Sequence, residues 1–272
     1  TRRRDVAARA GPVIMPVVIG IIGQTHGETL VARPAPNSVV RASHGWCCNE
    51  SPSPDSTRKA SGIESIYIQR THRPGGTVVQ GGPDNKSRCA WLGDNPAMRS
   101  YHDEEWGVPV RRDKPLFAKL ILDGFQAGLS WAIILRKRDG FLRAFDRFDP
   151  DKMARYTAAR RRRLLADAGI VRNRQKIDSA IANARAYLEM RDAGVSFGAF
   201  LWDFVDGKPR QNRWGSLERI PAKTRESERM SRALVERGFH FVGPTICYAF
   251  MQAVGMVNDH IVACFRHQEL RQ

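Results

Sequence analysis

Four side chains of metal-binding type lie in two pairs that are far apart in the sequence. Cys89 precedes His102 by thirteen positions, and His260 precedes Cys264 by four, the spacing of one helical turn, in the segment NDHIVACFRH. Two cysteines and two histidines match the ligand types and the ligand number of a tetrahedral zinc site. Four protein ligands leave no open position for water, so this metal would be structural. The alternative is two packed thiols and two half-buried histidines.

The remaining cysteines do not indicate a disulfide framework. Cys47 and Cys48 are adjacent and are interpreted as incidental, while Cys247 in TICYAFM has the surroundings of a core residue. The second part of the chain holds three cysteines, Cys89, Cys247 and Cys264, and this odd number argues for reduced thiols. Reduced thiols favour a cytoplasmic location.

Aromatic residues are concentrated around the first metal-ligand pair. Trp91, Tyr101 and Trp106 lie in CAWLGDNPAMRSYHDEEWGVP, and Trp131 follows in FQAGLSWAIIL. Each of them could be an ordinary core anchor. Together they could instead form the flat walls of a pocket for a nucleobase that is flipped out of a duplex.

The charge of the chain indicates a polyanionic partner. The formal net charge is +16 and the pI is about 10.3. Residues 87–272 carry 33 basic and 22 acidic side chains, so most of the excess belongs to this part. Nucleic acid and an acidic membrane face are both compatible with such a charge.

The composition changes near residue 86. Residues 1–86 are interrupted by Pro, Gly and Ser, which predicts a disordered N-terminal extension. Its apolar run PVIMPVVIGIIG at 12–23 follows a basic start, as in a signal peptide, but carries two prolines and no clear cleavage site. We therefore favour an extension that plays no part in the fold over a targeting segment.

Residues 87–272 are predicted to form one all-α domain. Apolar residues recur at helical spacing, and glycines stand where these helices should end. The apolar positions are Phe117, Leu120, Ile121 and Phe125, then Ile177, Ile181, Ala184 and Leu188, then Phe197, Phe200, Leu201 and Phe204; the glycines are Gly169, Gly194, Gly238 and Gly255.

The segment LLADAGIVRNRQKI predicts a helix, a tight turn at Gly169 and a second helix. The start of the second helix carries Arg172, Asn173, Arg174 and Lys176. Backbone N–H groups at a helix start bind phosphate without sequence preference, and basic side chains add charge. This hairpin is therefore a candidate contact for phosphate groups, and the resemblance described next implies that they belong to DNA.

Several segments closely resemble the 3-methyladenine DNA glycosylase I family of alkylation-repair enzymes. They follow in order from Cys89 to Cys264: YHDEEWGVP, GFQAGLSW, DAGIVRNRQKI, NARAYL and GFHFVGPTICYAFMQAVGMVNDH, with the terminal His-x3-Cys. The resemblance implies an all-α helix-hairpin-helix glycosylase architecture, in which a structural zinc joins the two ends of the domain. It assigns the zinc ligands to Cys89, His102, His260 and Cys264.

The resemblance also implies a base pocket. Its walls fall on Tyr101, Trp106 and Trp131, with Trp91 close by and Trp131 as the stacking partner. Asp123 in LILDGFQAG stands where family members commonly have glutamate, and it is implied as the catalytic carboxylate that accepts hydrogen bonds from the methylated adenine. The shorter side chain would need to be brought closer by backbone or water. A solvated acid at a helix end is the alternative.

The function implied is hydrolysis of the N-glycosidic bond of 3-methyladenine in double-stranded alkylated DNA. Because no lysine is indicated as a Schiff-base nucleophile, we expect a monofunctional enzyme that leaves an abasic site. We expect a monomer, one structural Zn²⁺ per chain and no membrane partner. Three alternatives are a glycosylase for another lesion, a non-catalytic zinc-stabilised DNA-binding module and a zinc hydrolase.

Overall fold

Helices make up most of the part of the chain that the structure describes. The computed structural model describes residues 78–79 and 84–271. The helices in chain order are α1 Pro96–Glu104, α2 Asp113–Gln126, α3 Trp131–Ala144, α4 Pro150–Met153, α5 Ala158–Ala166, α6 Arg174–Asp192, α7 Phe197–Trp202, α8 Arg225–Glu236, α9 Pro244–Ala253 and α10 Phe265–Glu269. Four single 3₁₀ turns lie at Ala90–Leu92, Asp146–Phe148, Asp203–Val205 and Leu217–Arg219.

Helix α2 forms the centre of the core. Every residue from Pro115 to Gln126 is buried, and the helix packs against α3, α6, α7 and α9. A helix that is apolar on all sides is stable only when other elements surround it. Two of the buried residues, Lys119 and Asp123, are charged, and they are central to the site described below.

The helical spacing predicted from the sequence is confirmed for α2, α6 and α7. Gly194, Gly238 and Gly255 follow helices and have positive φ angles of 76°, 81° and 71°, so they end those helices in a backbone conformation that favours glycine. Gly169 has a different role, because it lies in the turn between α5 and α6 and is not among the positive-φ glycines.

The turn between α5 and α6 is held against α3 by close backbone contact. A Cβ atom on Gly140 of α3 would lie 2.2 Å from the carbonyl oxygen of Gly169, so only glycine allows this approach. Asp167 accepts a hydrogen bond from the Gly169 N–H at 2.7 Å, and Asn173 caps α6 by accepting one from the Lys176 N–H at 3.1 Å. The turn is therefore fixed at both ends.

Short strands were not predicted. β1 (Val78–Val79) pairs antiparallel with β2 (Arg88–Cys89), and β3 (Arg210–Gln211) pairs in parallel with β4 (Val257–Asn258). Two-residue strands have no periodicity that a sequence could display. The fold is thus mostly helical rather than strictly all-α.

The predicted N-terminal extension, including the apolar run at 12–23, lies outside the described residues except at 78–79 and 84–86. Val78 and Val79, which fall inside the predicted extension, pair with β2. Of the helices in the described residues, none is long and apolar enough to cross a bilayer.

Candidate functional site

The four predicted metal ligands come together in one fully buried group. Cys89 and His102 are brought to His260 and Cys264, and their ligand atoms all lie within 4.8 Å of one another. At most 1% of each of the four residues is exposed. His102 and Cys264 are in contact here, although they are 162 positions apart in the sequence. The group is called the Cys/His cluster below.

The spacing of the ligand atoms fits a tetrahedral metal ion. The Sγ atom of Cys264 is 3.4 Å from His102 Nε2 and 3.5 Å from His260 Nδ1, and the Sγ atom of Cys89 is 3.8 Å from His260 Nδ1. Zinc–ligand bonds of about 2.0–2.3 Å correspond to tetrahedron edges of about 3.3–3.8 Å. The donor set therefore has the geometry, as well as the composition, of a closed metal site.

Partners outside the cluster fix the orientation of both imidazoles. His102 Nδ1 lies 2.7 Å from Asp103 Oδ1, and His260 Nε2 lies 3.0 Å from the carbonyl oxygen of Trp106. Arg88 in turn donates to Asp103 from Nε and from its terminal nitrogen, at 2.7 to 3.0 Å. Each imidazole is left with one nitrogen facing the cluster, which is the arrangement common to metal-binding histidines.

The two thiols differ in acidity. Hydrogen bonds from Cys89, and then from His102 and His260, hold the pKa of Cys264 far below its usual value, whereas burial raises the pKa of Cys89. The cluster can therefore hold at least one thiolate, which is the form that binds a metal.

The prediction that His260 and Cys264 lie one turn apart on a helix is wrong, because neither residue is in a helix. Their side chains nevertheless lie together in the Cys/His cluster. They lie in a turn between β4 and α10, where the Cys264 N–H donates to the Ile261 carbonyl oxygen at 2.8 Å. Cys264 is the extended N-cap residue of α10, with φ −77° and ψ 136°. A turn brings the two side chains together as effectively as a helix does.

The predicted pocket residues also form a group, here called the aromatic cluster: Trp91, Tyr101, Trp106 and Trp131. Trp91 lies 5.1 Å from Trp106 and 6.2 Å from Tyr101, and Tyr101 lies 6.0 Å from Trp131, measured between ring centroids. Tyr101, Trp106 and Trp131 are at most 3% exposed, and Trp91 is partly buried. Trp106 connects the aromatic cluster to the Cys/His cluster, because its ring contacts the His260 ring edge-on at 4.4 Å.

Asp123 is buried inside α2, so the alternative of a solvated acid at a helix end is wrong. Its Oδ1 atom accepts a hydrogen bond from the Lys119 ammonium, one helical turn earlier. Within the described residues, its Oδ2 atom is buried without a hydrogen-bond partner. A buried carboxylate oxygen of this kind is costly unless a donor is supplied from elsewhere.

Lys119 is the functional candidate that the sequence reasoning missed. It is 0% exposed, and its Nζ atom lies 5.2 Å from the centroid of the Trp131 ring. Burial lowers the pKa of Lys119 and raises that of Asp123, while each charge partly opposes the shift of the other. A lysine in the apolar run LFAKLIL, four residues before an acid, was the available signal.

A second charged pair, Glu105 with Arg138, was also missed. Two hydrogen bonds of 2.8 Å join Arg138 of α3 to the two carboxylate oxygens of Glu105, which is 7% exposed and precedes Trp106. Burial raises the pKa of Glu105, against the effect of Arg138. The pair connects the segment that carries Trp106 to the helix that begins with Trp131.

The predicted hairpin residues do not all face outward. Arg172, Asn173 and Arg174 are exposed at the start of α6, and Gly169 is partly buried in the turn. Lys176 departs from the expectation, because its Nζ atom donates to the carbonyl oxygens of Phe125 at 2.9 Å and Ala127 at 2.5 Å. It satisfies carbonyl groups at the end of α2 and is not directed at a phosphate.

Asp259, next to His260, is a buried carboxylate with four donors and was not singled out in the sequence. It accepts hydrogen bonds of 2.6 to 2.8 Å from Asn212, Trp214, Tyr248 and Gln252. These bonds come from α9 and from the loop after β3. They fix the turn that presents His260 to the Cys/His cluster.

Comparison with known proteins gives a consistent result. The family model "Methyladenine glycosylase" matches residues 91–267. A DNA-3-methyladenine glycosylase 1 from Escherichia coli is 49% identical over 177 residues, covering 65% of this chain and 95% of that protein. A DNA-3-methyladenine glycosylase from Haemophilus influenzae is 44% identical, covering 65% of this chain and 96% of that protein.

Solved structures agree with these relatives. A crystal structure of 3-methyladenine DNA glycosylase I has a TM-score of 0.65 and 48% identity, covering 65% of this chain and 98% of that one. The Staphylococcus aureus enzyme, in a structure that addresses 3-methyladenine recognition, has a TM-score of 0.64 and 34% identity, covering 65% of this chain and 95% of that one. The family match is well over half of the chain, and this chain therefore belongs to the methyladenine glycosylase family.

Proposed function

We propose that this chain removes 3-methyladenine from alkylated double-stranded DNA by hydrolysing the N-glycosidic bond. Family membership supports the reaction, and two relatives carry this activity in their names. The observation that carries the proposal is Asp123, whose Oδ2 atom is buried without a hydrogen-bond partner in the described residues. Its Oδ1 atom binds Lys119, and the Lys119 ammonium lies over the ring of Trp131 in the aromatic cluster.

The proposed chemistry relies on the charge of the lesion. Methylation at N3 gives adenine a positive charge and makes it a good leaving group. Aromatic faces attract such a cation by about 0.5–2 kcal/mol per contact. Asp123 would accept hydrogen bonds from the base, and a normal adenine would gain less from the same contacts. When the C1′–N9 bond breaks, water supplies the hydroxyl group to C1′, and an abasic site remains.

We further propose that the Cys/His cluster binds one structural Zn²⁺. The tetrahedral spacing of two sulfur and two nitrogen atoms supports this metal. Bound there, zinc would hold residues at the start of the domain to residues near its end. With all four positions taken by protein ligands, it would not activate water, which argues against a zinc hydrolase.

The proposed catalytic domain is residues 87–272, with a helix-hairpin-helix architecture whose hairpin is α5, the following turn and α6. Arg172, Asn173 and Arg174 are the proposed phosphate contacts, since they are exposed beside the first N–H groups of α6. Lys176 is not a proposed phosphate contact, because its amine already donates to carbonyl oxygens within the protein. The proposed DNA-bound form is a monomer.

The direct test is incubation of the purified chain with methylated duplex DNA, followed by chromatography of the released bases. Release of 3-methyladenine, with little 7-methylguanine, is the expected result. Equal release of the two bases would contradict the selectivity and would favour a glycosylase of broader range. A chain that binds DNA but releases no base would contradict the enzymatic proposal and would favour a DNA-binding module.

Removing both exposed arginines of the hairpin should weaken DNA binding without changing the base that is released. For Arg172→Ala with Arg174→Ala, we expect the slope of log K against log salt to fall by about 1 for each phosphate group that the variant no longer binds. Titration of a labelled duplex at several salt concentrations measures this slope. Arg232→Ala, an exposed arginine on α8, is the control. An equal change of slope in both variants would exclude a specific contribution of the hairpin.

A further inference from the structure

The proposed base site already contains a positive charge. Lys119 and Asp123 lie one turn apart on α2, both are 0% exposed, and their side chains form an ion pair. A fully buried lysine is rare, because removing an ammonium group from water costs free energy that only close partners can offset. Its presence in the central helix therefore calls for an explanation beyond packing.

Lys119 contacts the two groups that the proposed function assigns to the methylated base. Its Nζ atom binds the Asp123 carboxylate and lies 5.2 Å from the centre of the Trp131 ring. Carboxylate and ring face are the partners that a cationic purine would also use. The ammonium and the lesion thus compete for the same interactions.

Other charged and titratable groups near this pair do not remove that competition. Glu105 acts on Lys119 electrostatically, but Arg138 binds both oxygens of Glu105. The thiol of Cys247 in α9 donates to the Val242 carbonyl oxygen, and burial, with the charge of Asp123 as the second cause, raises its pKa. Cys247 is thus held as a neutral thiol. The positive charge of Lys119 and the negative charge of Asp123 therefore cancel within the site.

Building on the proposed function, we propose that Lys119 is a specificity-determining residue that keeps the base site free of net charge, weakening binding of the cationic nucleotide and favouring departure of the base. Asp123 then acts through directed hydrogen bonds, and the site does not hold the lesion by net opposite charge. The residue touches Asp123 and Trp131 and is not assigned contact with C1′.

The direction of the effect follows from the movement of charge in the reaction. As the C1′–N9 bond breaks, its electron pair goes to the purine and cancels the positive charge of the ring. C1′ takes the hydroxyl oxygen of water, whose proton passes to solvent. An ammonium beside the base disfavours the charged bound state but not the neutral product, and in a buried site such charges interact strongly. A lone carboxylate in its ionised form would have the opposite effect.

The test compares Lys119→Met and Lys119→Gln with the wild-type chain in single-turnover assays on methylated duplex DNA. In both variants we expect the half-saturating enzyme concentration to fall about tenfold, and the maximal rate of 3-methyladenine release to fall about tenfold as well. This is the size of effect expected from removing one charge from a buried site. Lys114→Met, at an exposed position of the same helix, is the matched control and should change neither quantity.

A second measurement separates charge from packing. The released base is uncharged, so its inhibition constant should stay within about twofold of wild type in Lys119→Gln, which retains a hydrogen-bond donor toward Asp123. A lower maximal rate without tighter binding would mean that Lys119 is only structural, and would overturn the inference. Reductive trapping of a covalent DNA adduct that requires Lys119 would also overturn it, because the lysine would then be a nucleophile.

These outcomes are distinguishable from failure of the proposed function. If the wild-type chain releases no 3-methyladenine, the function itself is wrong. If the wild-type chain releases the base and the Lys119 variants fail to show the opposed changes in affinity and rate, only the role of Lys119 is wrong.

Discussion

Replacing Cys89 by alanine is expected to remove the bound metal and to lower the free energy of unfolding by about 5 kcal/mol. The ligands on the two sides of the cluster are far apart in the sequence, as for His102 and Cys264 with a separation of 162. In the chain-entropy treatment, a cross-link that closes a loop of this length stabilises the fold by about 5 kcal/mol. Metal analysis and urea denaturation measure the two effects.

Cys247→Ala is the matched control for loss of the metal. Cys247 is as deeply buried as Cys89, but its thiol donates to the Val242 carbonyl oxygen at 3.1 Å and is not part of the Cys/His cluster. This variant should keep one zinc per chain and lose only about 1 kcal/mol. A wild-type chain without bound metal, or a Cys89→Ala variant as stable as Cys247→Ala, would contradict the structural role of zinc.

Replacing Asp123 by asparagine is expected to lower kcat/KM for release of 3-methyladenine by about 100-fold. The amide presents hydrogens where the carboxylate presents acceptors, so donors of the base would meet donors of the protein. Zinc content should not change, because Asp123 is not part of the Cys/His cluster. Retained zinc with lost activity would also exclude a catalytic metal.

Two companion variants keep this prediction testable if Asp123→Asn is unstable. The single change leaves Lys119 buried without its carboxylate, whereas the combination of Lys119→Met with Asp123→Asn removes the whole pair. We expect the double variant to fold and to remain inactive. Asp123→Glu retains the carboxylate and should keep most of the activity. An active double variant would mean that Asp123 does not contact the base.

The pH dependence of kcat/KM tests the role of Asp123 independently. Burial, opposed by Lys119, raises the pKa of Asp123 to about 7. A protonated carboxyl group loses acceptor capacity, so kcat/KM should fall as the pH drops below about 7, by about tenfold per pH unit. The acid limb should disappear in Asp123→Asn. An identical acid limb in both proteins would assign this ionisation to another group.

The sequence was sufficient for features that rest on regular spacing or on uncommon residue types. Phe117, Leu120, Ile121 and Phe125 predicted α2 because a helix repeats every 3.6 residues. Cys89, His102, His260 and Cys264 could be grouped because thiols and imidazoles at the two ends of a domain have few other uses together. Neither inference required knowledge of the path between the residues.

Features that depend on tertiary contact could not be predicted in the same way. The sequence treats Lys176 as one more basic residue at a helix start, and only packing against α2 directs its amine to the carbonyl groups of Phe125 and Ala127. Lys119 is similar, since its burial depends on helices that surround α2. The turn at His260 depends on four donors to Asp259 that come from elsewhere in the chain.

The position of Trp106, in contact with both clusters, has a further consequence. Its carbonyl oxygen lies 3.0 Å from His260 Nε2, and its ring contacts the rings of both His260 and Trp91. If the Cys/His cluster holds zinc and the aromatic cluster holds the base, then the two ligands share one rigid residue. Thermodynamic linkage is reciprocal, so whatever factor the metal contributes to affinity for the lesion, the lesion returns to affinity for the metal. If the metal raises affinity for the lesion, a damaged base in the pocket would raise affinity for zinc by the same factor, and zinc affinity would become a readout of DNA engagement.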